Sequence, residues 1–392
     1  MDLPSNPALD GAVANAPADR SPAATTNNPY FILHEFPVPA QEAAWSDLLT
    51  RVELPSHFLT PEFFLESQWE GKRPFAVLAV QNEMVVAALT GVHEDVRVEC
   101  GMSTRPQICF DRKADLAGAL DSLAAGLFVE AGSAQLISIY SWVPLDPLVR
   151  HGFRRREMRG VVTLDLTLGK DELFKRFDLP RRNNIRRSAK KGVEVYQAST
   201  PEDIAAYYEV YKSWSDSKAF HTRSFEEWRL ASASTPANRR LFLARAAGKA
   251  IAGGVLRFCP RGLVEASENN SLHEFLHLKP NDLLQWKEIE WACDEGFPLY
   301  TLGAAGTFHR GFGEVVTPVF RYRLDRTLFR RHDLRENLSE TATKAFQKLP
   351  PSVSNVARRL LGKKLLPPKP SSDKPSPGKI SPEKPPPESK LP

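Results

Sequence analysis

Apolar runs at residues 75–80 and 84–90, parted by the polar turn Gln81-Asn82-Glu83, have the length and punctuation of a β-hairpin. The pattern returns 166 residues later, at residues 241–246 and 250–258 around Ala247-Gly248-Lys249. Helical periodicity comes after each hairpin, over residues 114–130 closed by Gly132 and over residues 281–295 closed by Gly296, with the glycines 164 apart. A short apolar strand comes next in both, at residues 135–140 and 299–302, and helical candidates stand upstream at residues 40–52 and 201–214. Shared element order at a near-constant offset predicts a duplicated unit. Each copy, placed at residues 30–165 and 166–330, reads as α/β, a mixed sheet covered by helices.

Composition supports two domains: 392 residues, 42% hydrophobic and 25% charged, can bury a sizeable core. The charge is uneven. Residues 1–29 carry net −2, residues 331–392 carry thirteen Lys or Arg against six Asp or Glu, and the body between is balanced. Residues 1–29, rich in Ala, Pro, Asn and Ser with no apolar stretch of signal-peptide length, read as a disordered segment. Residues 331–392 read as a basic Pro/Lys-rich tail, with twelve prolines from Pro350 onward. Inside it, Val353, Val356, Leu360 and Leu361 fall at helical spacing beside Arg358, Arg359, Lys363 and Lys364, so residues 352–364 are expected to form a short amphipathic helix suited to weak peripheral contact with anionic lipid. No apolar run reaches the roughly 20 residues of a membrane span. Cys100, Cys109, Cys259 and Cys293 lack paired metal-ligand spacing and are expected reduced and mostly buried. The expected location is cytoplasmic, at the inner face of a membrane if the tail engages lipid.

One stretch breaks the balance of the body. Residues 181–191 hold Arg181, Arg182, Arg186, Arg187, Lys190 and Lys191 with no acid, before a Gly192-Val193-Glu194-Val195 strand start. On a helix, Ile185 and Ala189 make a thin apolar seam while Arg182, Arg186 and Lys190 stack on a cationic face, and Gly192 ends the helix. Such a face suits phosphates, a peptide carboxylate or RNA, because Arg clamps anions through paired donors. A merely solvated basic helix is the plainer alternative.

A hairpin, then a helix entered from a strand end, then a strand and a Gly-Phe pair, here Gly152-Phe153, resembles the GNAT acyltransferase unit. Two units in tandem resemble the Fem family of peptide-bridge aminoacyltransferases and the related acyltransferases of exopolysaccharide and cellulose operons. Three segments of the region 30–330 carry the likeness: residues 182–193, residues 280–296, and residues 303–313. The resemblance implies two tandem GNAT-like units and an N-acyltransferase acting on a cell-envelope or polysaccharide precursor. Within it, Phe308-His309-Arg310-Gly311-Phe312-Gly313 is similar to a Phe-Lys-x-x-Phe-Gly signature. There, the first Phe carbonyl orients the attacking amine and the Lys stabilises the tetrahedral intermediate. This chain has His309 at the Lys position, and a partly protonated imidazole suits a base or donor better than a fixed charge. Arg310, next along, is the alternative source of that charge.

The helix beginning at Asn281, Asp282 and Leu283 is the expected cofactor-binding place, where the resemblance puts the pyrophosphate of coenzyme A against free helix N–H groups. Asn281 is read as its N-cap after Pro280. The usual Gly-rich loop is absent ahead of it, and Asp282 puts a negative charge at that position. Glu265 and Glu268, on a strand beside the acyl donor in a GNAT unit, are candidate general bases through a water. Arg181, Arg182, Asn184, Arg186, Tyr300, Gly303 and Phe312 complete the substrate-binding expectation. Tyr300 and Tyr322 are also candidate proton donors, although aromatic strand residues are usually core. Neither a metal cluster nor a Ser-centred nucleophile elbow appears, so direct acyl transfer without a covalent enzyme intermediate is the simplest chemistry. The expected donor is acyl-CoA, with aminoacyl-tRNA as the alternative, and no DNA partner is expected. A non-catalytic module holding an anionic polymer is the rival from another class.

Overall fold

The computed structural model describes residues 29–66, 71–218, 220–232, 238–313 and 316–347. The first half runs β1 (Tyr30–Leu33), α1 (Pro39–Arg51), β2 (Arg73–Gln81), β3 (Met84–Glu94), β4 (Arg97–Cys100), β5 (Ile108–Phe110), α2 (Leu116–Ala131), β6 (Leu136–Ser141) and β7 (Arg154–Asp165). Two connecting helices come next, α3 (Lys170–Arg176) and α4 (Leu179–Lys190). The second half is β8 (Val193–Ala198), α5 (Pro201–Ser217), α6 (Phe225–Ser232), β9 (Arg239–Ala246), β10 (Lys249–Phe258), β11 (Leu263–Ser271), α7 (Pro280–Asp294), β12 (Leu299–Ala304), α8 (Thr307–Arg310) and β13 (Val316–Asp325). The last helix is α9 (Arg331–Gln347).

Local chemistry sets these limits. Both hairpins turn through two residues at positive φ, Asn82 and Glu83 in one and Ala247 and Gly248 in the other, the geometry that matches strand twist. Asp115 caps α2 by accepting from the Ala117 and Gly118 N–H groups, and Asp178 caps α4 by accepting from that of Arg181. Gly192, at φ +77, comes directly after the last turn of α4. Two details depart from expectation. The buried face of α4 is Ile185 and Ser188, with Ala189 exposed, because α4 packs chiefly against α7 with positions three apart turned inward. The N-cap of α7 is Lys279, in the left-handed region, and Pro280 fills the first helical position where its missing N–H costs nothing, so Asn281 lies inside the first turn.

The strands form one sheet in the order β1-β2-β3-β4-β6-β13-β7-β12-β11-β10-β9-β8, with β5 beside β3. The two halves repeat one order, hairpin partner by hairpin partner, except at the middle. There, β7 pairs with β12 of the second half, and β13 pairs with β6 of the first. The two exchanged strands pair antiparallel with each other and complete the sheet. Helix α2 packs Leu120, Leu123 and Leu127 onto the first half, and α7 packs Leu284 and Ile289 onto the second. The architecture is mixed α/β with two tandem GNAT-like units.

Helix α9 belongs from Asp333 onward to a unit separate from the main body, and Leu334 and Leu338 are exposed on it. The amphipathic helix expected at residues 352–364 lies outside the described residues, as does the N-terminal segment up to residue 28. Among the described residues no helix is long and apolar enough to cross a membrane.

Candidate active site

Strands β11 and β12 pair in parallel only through Leu263, Val264 and Glu265 against Leu299, Tyr300 and Thr301. Past Glu265 they part. Strand β11 goes on with β10 alone, while β12 stays with β7. The register of β11 slips where Val255 faces Glu268 and Leu256 faces Ala266, leaving Ser267 as the extra residue of a bulge. Its hydroxyl donates to the Val255 carbonyl at 2.8 Å. A second irregularity in β12, between Thr301 and Gly303, puts Gly303 at φ +87. Between the parted strands lies a cavity of about 310 Å³, lined by residues 266–269 of β11, Asn281 and Gln285 of α7, Leu302 of β12, and Phe308 and His309 of α8.

The polar groups around it are held in set orientations. His309 Nδ1–H donates to the Ala304 carbonyl at 2.7 Å, so in the neutral ring Nε2 keeps its lone pair. Asn281 Nδ2 donates to Ser271 Oγ at 3.1 Å, and its Oδ1 is buried with no hydrogen-bond partner among the described residues. Gln285 Nε2 donates to the Tyr300 hydroxyl at 2.7 Å and to Glu288 Oε2 at 2.8 Å, and Tyr300 donates to the same oxygen at 3.1 Å. Burial pushes the Glu288 carboxyl up to about 8, with the Tyr300 hydrogen bond opposing, and the carboxyl is therefore mostly protonated at neutral pH. A Cβ on Gly254 would stand 2.1 Å from Glu288 Oε1, which ties that glycine of β10 to the buried acid.

The sequence candidates divide between the cavity and its supports. Phe308, His309, Glu268 and Asn281 line the cavity, and Gly303 stands beside His309, whose Cε1 is 4.0 Å from the place of a Gly303 Cβ. Tyr300 is fully buried behind Gln285, where only its hydroxyl serves the network. Glu265 is buried and bound by Arg105 in an ion pair, which leaves it a structural carboxylate and not a free base. Leu283 and Phe312 are core residues, Phe312 packing edge-on to Phe177 and Phe308. Arg310 is exposed and is not part of the lining.

The cationic helix α4 docks by its first turn. Arg181 Nη1 donates to Asp282 Oδ1 at 2.5 Å while its guanidinium lies 4.1 Å from the Phe308 ring centroid, and Asn184 Nδ2 donates to the same Asp282 oxygen at 3.3 Å. Asp282, buried at 4% exposure, is thus neutralised by α4 and occupies the start of α7 that the pyrophosphate was expected to take. A Cβ on Gly311 would meet Arg181 Nε at 2.6 Å, so the turn after α8 is shaped around this arginine. Further along α4, Arg186 stacks 5.2 Å from the Phe174 ring, Arg182 is half-buried, and Arg187 and Lys190 are exposed. Gln285 and Glu288 were not among the sequence candidates. Helix α7 is buried on nearly all sides, from Leu283 through Trp286 to Ile289 and Ala292, so no amphipathic stripe marks two polar residues as inward.

Residues 180–310, from α4 through α8, match a family described as an acetyltransferase (GNAT) domain. Both walls of the cavity fall inside that match. The chain carries a GNAT acetyltransferase domain. By that domain it is an acyltransferase. The fold of the larger body agrees: the chain is similar to the crystal structure of FemX, with a TM-score of 0.58 at 14% identity over 76% of this chain and 97% of that one. It is also similar to the C-terminal domain of a putative lysylphosphatidylglycerol synthetase from Agrobacterium fabrum, with a TM-score of 0.54 at 12% identity over 78% and 96%. No curated protein matches the sequence. The GNAT match covers the second half only, although the first half shares its strand order.

Proposed function

We propose that the GNAT domain transfers an acyl group from an activated ester or thioester to an amine at the cavity between β11 and β12. The observation that carries this is the parting of those strands beneath His309 and Glu268. Along the parted edge, the backbone of β11 beyond Glu265 has no strand partner on the β12 side, so N–H groups turned to that side would meet the oxygen of an acyl carbonyl bound there. Donors fixed in advance there would stabilise the oxyanion of the tetrahedral intermediate. His309 Nε2 accepts the proton of the attacking amine directly, or Glu268 does so through a water. The amine nitrogen bonds to the acyl carbon, the carbon–sulfur or carbon–oxygen bond breaks, and the departing group takes up a proton. Asn281 Oδ1, without a partner among the described residues, would accept from the amine N–H.

The family makes acyl-CoA the first donor to try, and an amine of a cell-envelope or polysaccharide precursor the acceptor. The start of α7 fits a pyrophosphate poorly, because Pro280 offers no N–H and Asp282 already holds the anion's place against Arg181. That observation favours a second reading, an aminoacyl-tRNA whose phosphates meet Arg186, Arg187 and Lys190 on α4. Turnover of acetyl-CoA and of aminoacyl-tRNA, each with a panel of amino sugars and peptides, tests both. Product from either donor, lost on His309→Ala, supports acyl transfer; binding of anionic polymers with no turnover from either donor would replace it with the non-catalytic reading.

A further inference from the structure

In the first half, the strands matching β11 and β12 are β4 and β6, and these also pair in parallel over only four residues, Arg97–Cys100 against Leu136–Ile139. The segment after β4 has no counterpart after β11. Residues 101–107 fold back on themselves, with Met102 and Arg105 exchanging backbone hydrogen bonds at 3.0 and 2.9 Å. Gly101, at φ +89 and with its Cβ position 2.6 Å from the Arg105 carbonyl, is required for that reversal. Trp142, just past β6, donates from Nε1 to the Ser103 carbonyl at 3.0 Å and holds the segment in place. The turn then reaches the second half. Thr104 Cγ2 lies 3.7 Å from where a Cβ on Gly303 would stand, and Arg105 Nε donates to Glu265 Oε1, with its guanidinium 5.0 Å from the Phe58 ring.

We infer that Arg105, supplied by the first half, is a positioning residue for the transfer cavity of the second, setting Glu265 at the point where β11 and β12 separate and thereby placing Glu268. The inference rests on reading that cavity as the transfer site. Glu265 is the last residue of β11 that pairs with β12, facing Thr301, and Glu268 stands three residues further along the same strand. Burial disfavours the Arg105 charge, but Glu265 and, more weakly, Glu66 and Glu268 outweigh it and raise its pKa, so the guanidinium acts on both carboxylates of β11. The neighbouring cations belong to the same cluster, and Arg257 also feels the Glu265 charge. Arg257, across the sheet from Glu265, lies 3.6 Å from Glu66, which also binds Arg239 and His57. Arg105 is thus the cation in direct contact with Glu265.

The test compares Arg105→Lys, Arg105→Met and the double variant Arg105→Met/Glu265→Met in the full chain. The double variant does not leave Glu265 stranded without Arg105 and keeps the fold testable if the single one melts. With the donor and acceptor that turn over, Arg105→Met should lower kcat about tenfold or more with little change in acceptor KM. The double variant should regain the melting temperature but not the rate, and Lys should rescue in part. Backbone amide resonances of residues 266–269 should shift in both Met variants, a readout that needs no turnover. Wild-type kcat in the stable double variant, or unshifted resonances at residues 266–269, would overturn the positioning role. Absence of turnover in the wild-type chain with shifted resonances would instead overturn the transfer reading and leave the positioning intact.

Discussion

If the sequence likeness that sets His309 against the Fem-type lysine holds, its Nδ1–H bond to Ala304 fixes the ring that replaces the ammonium. The ring is anchored through one nitrogen, so the other is free to take a proton, which a lysine ammonium at neutral pH does not do. His309→Ala should lower kcat on the order of 100-fold with acceptor KM little changed, and His309→Lys should stay as slow at pH 7. Steady-state kinetics of the two variants check this; full activity in the Lys variant would restore the fixed-charge role. Glu288 allows a second test at the same scale. Its folded value of about 8 lies above its ordinary 4.5, so the fold holds the proton more tightly than the unfolded chain and loses stability as pH rises from about 4.5 through 8. Glu288→Gln keeps the hydrogen bonds without the ionisation. Its melting temperature should match wild type near pH 4.5 and exceed it near pH 8.

At the level of elements, the features legible in the sequence are those that depend on near neighbours. The two hairpin turns, the closing glycines of α2 and α7, and the basic helix before Gly192 are all set by local chemistry and can be read without a structure. Contacts between distant segments cannot. Arg105 and Glu265 are 160 residues apart, and nothing near either announces the other. Helix α4 shows both sides of this. Its cationic face is evident from spacing, but the use of Arg181 and Asn184 to hold Asp282 is hidden, since the partner lies about a hundred residues on. That division predicts separate outcomes along one helix. Arg182→Ala/Arg186→Ala should raise the KM of a phosphate-bearing donor roughly tenfold, the loss of about 1.5 kcal/mol expected for charged hydrogen bonds, with a shallower salt dependence. Arg181→Ala should instead lower the melting temperature, because it strands the buried Asp282. Titration of donor KM against salt, beside thermal melts, separates the two.

Across the whole body, a buried charge network joins the halves. Glu66, which precedes β2, accepts from His57 Nε2 at 2.5 Å and binds Arg239 of β9, with Arg257 of β10 at 3.6 Å. Burial alone would raise the Glu66 carboxyl, but the His57 hydrogen bond and the two arginines bring it down to about 2. Its folded value is below the unfolded one, so its contribution is complete above about pH 4.5 and fades as pH falls toward 2. Glu66→Gln should cost about 3–5 kcal/mol at neutral pH, as breaking a buried pair does, and the gap to wild type should close in acid. Denaturant melts at pH 7 and pH 3 measure it, and an equal loss at both would assign the effect to packing.

The exchange of β7 and β13 has a consequence for how the chain is made. The first half emerges from the ribosome with a gap beside β6 that only β13, some 180 residues later, can fill. Until then Ile137, Ile139 and their neighbours wait on an open sheet edge, a template for pairing with another chain. Folding therefore waits on near-complete synthesis, and loop closure over that distance makes the last docking slow. Residues 1–165 and 166–392 made separately should aggregate, whereas the two co-expressed should reassemble by trading their final strands. A truncated chain ending before β13 should lose both halves together, and the cell would find no partly folded form worth keeping.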